Sequence, residues 1–439
     1  MSEPAKINSR LEELESYAES LNILSEMGRL YNMTDEYDAV FKITAQYTPK
    51  IIPAAKRASI VLLDDHGQTF SVFALQGDAA IPMGRKIPLE NTAIDKCISE
   101  NKLISTSNIS ESGYADHELL AKAGMCCVIN VPLIDGGSIF GTINIAGEKG
   151  FNWRDEQLLQ KISAFLASTL SSRMLFNELQ KAMYNIRQSI HYAKKIQTAL
   201  LPDDKELSDL IPNHFLFNLP RDIVSGDFYW VREQNGKVFI AIGDCTGHGV
   251  PGAMMTALGI NMLSQIVGEM KVEDPVQILN SMDVRLMELL RQTGHGGDHG
   301  VQDGMDFCLC VWDKHSDEIL FAGAKRPLVI INEDGLKEIR GDKYPIGSGL
   351  YNKKTFTSHK VKIKKGDFIY LFSDGIIDQL GGDDMLRLGS KRFKECISKL
   401  HCKKIEDHLV YIENDFLKWK GSENQTDDII ILGFELIPK

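Results

Sequence analysis

Four acidic clusters in the second half of the chain carry the strongest chemical signal: SGDFYW with Asp227, AIGDCTGHGVPG with Asp244, YLFSDGIID with Asp374, and QTDDIIIL with Asp427 and Asp428. Any one Asp-Gly pair is most simply a turn, because both residues favour turns for local reasons. Here each aspartate sits at the edge of an apolar run such as VFIAIG, DFIYLF or IIILGF. Such runs read as strands buried on both faces, so carboxylates at their ends can converge on one sheet edge from distant points in the chain. Massed carboxylates cannot all stay ionised without a cation between them. Oxygen-only ligands select hard ions, which points to Mg²⁺ or Mn²⁺ rather than Zn²⁺. Two such ions, roughly 3.5–4 Å apart, can lower the pKa of a water and neutralise a phosphoryl group during in-line attack.

Other residues near these clusters are weaker candidates. Arg221, Lys325 and Arg326 could contact a phosphate or a partner, although most surface cations are merely solvated. Asp303 and Asp306 in VQDGMDF could bind a further metal or orient substrate, but the same string serves equally well as a turn entering a strand. His295 and His299, spaced by glycines, make a weak metal site and read as a loop.

The elements that must position these groups fall into four stretches. An amphipathic helix is expected over residues 1–30, with a 4-3 seam of Ile7, Leu11, Leu14, Ala18 and Leu21. A mixed α/β unit follows over 31–172, with strand-like ASIVLLDD, TFSVFALQG and GTINIAGE between Asp-Gly and Gly-Gly turn signals. Over 173–201 Leu175, Leu179, Ala182, Ile186, Ser189, Ala193, Ile196 and Leu200 keep strict 4-3 spacing, which predicts a dimer-forming coiled coil that ends at Leu201-Pro202. The alternative for that seam is one helix lying on its own downstream domain. The acidic clusters occupy the remainder, 202–439.

Composition excludes several classes. With 439 residues, 43% of them hydrophobic and 25% charged, the chain is an ordinary globular protein of two or three domains. A net charge of -11 and the lack of a basic stripe argue against nucleic-acid binding. The eight scattered cysteines form no C-x-x-C pair and suit reduced thiols in the cytoplasm. No export signal and no membrane span is expected.

Residues from about 190 onward resemble the SpoIIE-like branch of the PPM-type metal-dependent serine/threonine phosphatases, on I-V-S-G-D-F-Y-W, G-D-x-x-G-H-G-V-P-G, S-D-G-x-x-D and D-D-I, with SIHYAKKIQTALLP similar to the entry helix of that branch. The resemblance implies an αββα sandwich of two antiparallel sheets flanked by helices, with two Mn²⁺ or Mg²⁺ ions at one edge. Carried over, Asp244 would bridge both ions, with the Cys245 carbonyl and Asp227 on one of them, Asp374 and Asp427 on the other, and Asp428 just behind. Thr246 stands where the eukaryotic branch has a histidine proposed as general acid, which leaves His248 as a candidate for that role or for organising the Gly-rich turn. The usual substrate in this branch is a phosphorylated anti-sigma factor antagonist.

Residues 31–172 resemble a GAF domain in the order ENTAIDKCISENKLISTSNIS, then VINVPLIDGGSIFGTINIAGEKGFNWRDEQLLQKISAFLASTL. That implies an antiparallel sheet, flanking helices and a sensory role with an unknown ligand. Phe151, Asp155 and Glu156 match half of a cyclic-nucleotide signature; the simpler expectation is that Phe151 packs while the two acids open a helix. Two other functions compete: a GAF-linked sensor histidine kinase using His191, and a catalytically inactive partner-binding scaffold.

Overall fold

A computed structural model describes residues 3–34, 36–64, 67–78, 80–291, 303–349, 351 and 354–437. The His295–His299 string lies outside the described residues. The chain divides into two compact units, Met1–Met183 and Tyr184–Lys439.

In the first unit, helices α1 (Glu3–Asn32) and α2 (Tyr37–Ile51) precede a six-stranded antiparallel sheet of β1 (Arg57–Leu63), β2 (Thr69–Gly77), β3 (Lys86–Pro88), β4 (Ile104–Thr106), β5 (Cys127–Asp135) and β6 (Ser138–Gly147), ordered β3-β2-β1-β6-β5-β4. Helices α3 (Ala93–Ser99) and α4 (Ala115–Lys122) cross one face, and the helix α5 begins at Trp153. The helix expected at the N-terminus is present, but its packed face differs from the expected seam. Leu14 and Leu21 are exposed, whereas Ser20, Met27 and Tyr31 are buried and Tyr17 and Leu24 pack against the same core. Residues 17, 20, 24, 27 and 31 also keep a 3-4 period, rotated from the leucines, and tertiary packing selects that face.

Phe151 packs against this core. Asn152 and Asp155 exchange hydrogen bonds that cap α5: Asn152 N–H donates to Asp155 Oδ2 (2.8 Å) and Asp155 N–H donates to Asn152 Oδ1 (3.3 Å). These residues open a helix, as the simpler expectation held. The expected linker boundary at 172/173 is not a break in secondary structure, because α5 runs without interruption from Trp153 to Leu200. Along it Leu175, Leu179, Ile186, Ile196 and Leu200 are all exposed.

The second unit is a sandwich of two five-stranded antiparallel sheets. One is ordered β14-β11-β10-β9-β8, from β8 (Asp227–Gln234), β9 (Lys237–Cys245), β10 (Met305–Asp313), β11 (Glu318–Ala324) and β14 (His359–Lys362). The other is ordered β13-β12-β15-β18-β7, from β7 (Asn213–Leu219), β12 (Leu328–Asn332), β13 (Gly335–Ile339), β15 (Phe368–Phe372) and β18 (Ile429–Glu435). A small hairpin of β16 (Leu380–Gly381) and β17 (Leu386–Arg387) stands apart. Along β9, Val238, Ile240 and Ile242 face the core between the sheets, while Phe239 and Ala241 face α7 (Gly249–Leu263) and α8 (Pro275–Leu289). Burial on both sides accounts for the uninterrupted apolar run. Helices α10 (Gly389–Ser398) and α11 (Ile405–Lys420) cover the outer face of the second sheet, completing the αββα order. Short helices α6 (Asp204–Leu210) and α9 (Gly375–Asp378) sit at chain turns. Residues Gly249–Glu269 are apolar and long enough to span a membrane, but Gly252, Met255, Thr256, Ile260 and Leu263 are buried in this core.

Candidate active site

Strand register assembles the site. Asp244, next to last in β9, pairs with Asp227 at the start of β8 and with Asp306 near the start of β10, so three carboxylates stand side by side across one sheet edge. Asp374 arrives from the second sheet, on the turn after β15, and its N–H donates to Asp244 Oδ2 (3.3 Å). Gly375 permits that approach, since a Cβ there would fall inside the van der Waals shell of the Asp428 carbonyl oxygen. Asp427 and Asp428 immediately precede β18, the neighbour of β15.

These positions have electrostatic consequences. Asp227 is 4% exposed and its Oδ2 has no hydrogen-bond partner among the described residues. Burial, then the charge of Asp244, pushes its carboxyl well above the usual carboxylate range, against a hydrogen bond from Ser373. Burial and the charge of Asp374 push Asp244 up to about 8, with Arg326 opposing. Asp427 is raised in the same way, by burial first. Asp428 is organised differently: its two oxygens accept from the N–H groups of Arg221 and Gly226, both at 2.7 Å, so it fastens the loop before β8.

Arg326 is the largest departure from expectation. It is not a surface cation awaiting phosphate: it is 8% exposed and its Nη2 hydrogen-bonds to Asp306 (2.6 Å) and Asp374, with Asp244 Oδ2 at 3.5 Å. Burial alone would lower its pKa, yet those three carboxylates more than reverse that and keep it charged. Lys325 Nζ pairs with Asp306 at 3.0 Å from a half-exposed position. Asp306 therefore belongs to the cluster through two cations. Asp303 precedes Gly304, whose N–H donates to Thr246 Oγ1 (3.1 Å) while its carbonyl accepts from Thr246 N–H (2.9 Å). Arg221 is exposed and its guanidinium donates to the Thr426 carbonyl (3.0 Å).

His248 occupies the N-cap position of α7, and its Nδ1 lies 2.7 Å from Asp222 Oδ2, a partner the sequence motifs did not single out. Gly247 and Gly249 flank it at φ of +86° and +65°, so the Gly-rich turn requires glycine for backbone conformation. The Cys245 thiol is buried and raised by that burial. Two supporting residues lay inside quoted motifs without being singled out, Ser373 beside Asp227 and Gln197 in the entry helix. Gln197 stood within SIHYAKKIQTALLP as a polar residue next to the apolar seam.

Among the described residues no three acidic, imidazole or thiol groups stand close enough to hold a metal as placed, because the Arg326 guanidinium lies between Asp244, Asp306 and Asp374. The donor chemistry nevertheless fits hard divalent cations. The cluster offers only oxygen, one buried carboxylate oxygen has no hydrogen-bond partner among the described residues, and burial, then neighbouring like charges, push two carboxyls above their ordinary range.

In the first unit, Arg57, Asn130 and Asn144 line a cavity of about 20 Å³ beneath α3 and α4. That is room for one water and far too little for a cyclic nucleotide.

A two-sheet αββα sandwich with carboxylates gathered at one edge defines the PP2C class of phosphatase domain. The model for Stage II sporulation protein E (SpoIIE) matches residues 234–436, and a GAF-domain model matches residues 34–171. The SiaA-PP2C domain of Pseudomonas aeruginosa is 32% identical, with a TM-score of 0.52, and the match covers 58% of this chain and 98% of that domain. Phosphoserine phosphatase RsbU of Bacillus subtilis is 23% identical over 256 residues, 58% of this chain and 72% of RsbU. The chain belongs to the SpoIIE-like family of PPM-type phosphatases and carries a GAF domain ahead of the phosphatase domain.

Proposed function

We propose that this chain is a cytoplasmic, Mn²⁺- or Mg²⁺-dependent protein phosphatase that hydrolyses phosphoserine or phosphothreonine in a signalling protein, with a phosphorylated anti-sigma factor antagonist as the substrate class. The observation that carries the chemistry is the row Asp227, Asp244 and Asp306 on adjacent strands, closed by Asp374 from the opposite sheet. Asp227, Asp244, the Cys245 carbonyl, Asp374 and Asp427 would hold two ions. When bound, such ions supply a nucleophile at neutral pH and neutralise the phosphoryl oxygens. Asp428 keeps the loop before β8 in place through its two backbone contacts. Asp222 occupies Nδ1 of His248, leaving Nε2 to deliver a proton to the departing seryl oxygen. The half-exposed Lys325 is the cation best placed to meet a phosphorylated protein.

The GAF unit would control this site through α5, whose exposed 4-3 seam suits pairing with a second copy in a parallel coiled coil. RsbU, named as a phosphoserine phosphatase, supports the phosphoserine assignment. The test is hydrolysis of a phosphoserine protein by the full chain: turnover with added Mn²⁺ or Mg²⁺ and none in excess chelator is expected. Full turnover in chelator would overturn the metal-dependent assignment.

A further inference from the structure

From Tyr184 to Leu200 the helix α5 is almost wholly exposed, and its one buried residue is polar: Gln197, 9% exposed. A buried amide must be hydrogen-bonded to be tolerated, and this one is bonded at both ends. Gln197 Nε2 donates to the Ser225 carbonyl (2.6 Å) and Gln197 Oε1 accepts from the Ser225 N–H (3.1 Å). Ser225 is itself buried, and its Oγ accepts from the N–H of Asp227 (3.0 Å).

The same two-residue ledge is held from two further sides. Thr256 Oγ1 of α7 donates to the carbonyls of Gly226 (2.8 Å) and Ser225 (3.3 Å). Asp428 accepts from Gly226 N–H, and the Gly226 carbonyl accepts from Cys245 N–H (3.3 Å). Every backbone polar group of Ser225 and Gly226 therefore has a partner, and among the described residues only Gln197 serves the Ser225 N–H. Asp227, with its unpartnered buried oxygen, follows directly.

We propose that Gln197 is a positioning residue for Asp227: it ties the end of the α5 helix to the loop that aims this carboxylate, so metal affinity depends on where that helix stands. This rests on the metal-dependent phosphatase assignment. One residue of α5 turns about 100° around the helix axis, so a small rotation takes the amide off Ser225. Removing the amide leaves a buried N–H unsatisfied, and the loop must move to find water.

The test is Mn²⁺ binding to the full chain, read from the paramagnetic resonance of free Mn²⁺, alongside amide hydrogen exchange at Ser225–Asp227 and Mn²⁺ dependence of turnover. Gln197→Leu should weaken Mn²⁺ binding about tenfold, the lower end of what supporting residues contribute at metal sites. Exchange at the three amides should quicken, and kcat at saturating Mn²⁺ should recover. Gln197→Glu keeps an acceptor for the Ser225 N–H but sets a carboxylate oxygen against the Ser225 carbonyl, so it should also weaken Mn²⁺ binding; if Gln197→Leu does not fold, Gln197→Glu is judged by the same criterion. Gln188→Leu, at an exposed position on the same helix, should match wild type. A folded Gln197 variant that binds Mn²⁺ within twofold of a metal-binding wild type overturns the clamp alone, and so does a loss of kcat or stability with affinity unchanged. Wild-type protein that binds no Mn²⁺ overturns the phosphatase assignment and the clamp together.

Discussion

Replacing Arg326 with methionine keeps much of the buried stem and removes the one guanidinium shared by Asp244, Asp306 and Asp374. Side-chain exposures are 10% for Arg326, 14% for Asp306 and 17% for Asp244, so these charges are weakly screened, whereas Asp374 at 33% contributes less. Removing one partner of a buried ion pair costs about 3–5 kcal/mol. The stranded carboxylates can relieve part of that by taking up protons, which favours about 3 kcal/mol. For a unit of this size each kcal/mol shifts Tm by roughly 2–4 °C, which gives a drop of about 6–12 °C in chelator at pH 7. Divalent cations, if they bind as proposed, would supply the missing positive charge, and at a hundredfold excess over Kd would stabilise by about 2.7 kcal/mol. Calorimetric melting of Arg326→Met against wild type, in chelator and then in Mn²⁺, should show the deficit shrinking by at least half when metal is added. A deficit of equal size under both conditions, or none in chelator, would refute the view that Arg326 and the metals balance the same carboxylates.

Asp244→Asn and Asp374→Asn should each lower turnover by roughly 10²–10³ or more while the protein still melts cooperatively, whereas Cys245→Ser, altering a thiol whose carbonyl alone is implicated, should stay near wild type in phosphoserine hydrolysis. In chelator, stability should fall as pH rises from 5 to 8. Asp244 holds its proton to about pH 8 in the folded protein but releases it near 3.9 when unfolded, so its stabilising contribution is complete below 3.9 and gone above 8. Asp227 and Asp427 act in the same direction, and a urea midpoint that climbs over this range would contradict the assignment. Ile186→Asp with Ile196→Asp, both at exposed seam positions, should weaken self-association in sedimentation and alter basal turnover; an unchanged dimer with unchanged activity would remove the seam from the mechanism.

Much of this architecture is written locally in the chain. Apolar runs such as VFIAIG announce strands covered on both faces, because only burial on two sides tolerates them, and the runs assigned to the first unit appear as β1, β2 and β6. The acidic motifs at their edges were equally legible, since an aspartate beside a buried strand stands out against its neighbours. The N-terminal helix was legible as a helix but not by its packed face: both the Leu14–Leu21 stripe and the Tyr17–Tyr31 stripe satisfy helical periodicity, and only contact with the first unit's core separates them.

The four acidic motifs could be drawn from sequence because each depends on residue type and short-range spacing, whereas the αββα order and the GAF fold were implied by resemblance to known families. Which carboxylates meet depended on tertiary structure. Asp306 stands beside Asp244 through the register of β9 and β10, 62 residues apart in the chain, and a register is a property of two strands that neither encodes alone. The same holds for Arg326, which read as a candidate phosphate or partner contact until the fold placed three carboxylates around it, and for Gln197, whose partner lies 28 residues away. Hydrogen bonds and ion pairs between such distant positions leave no periodic trace in the sequence. They form only when the chain's apolar burial has brought their elements together.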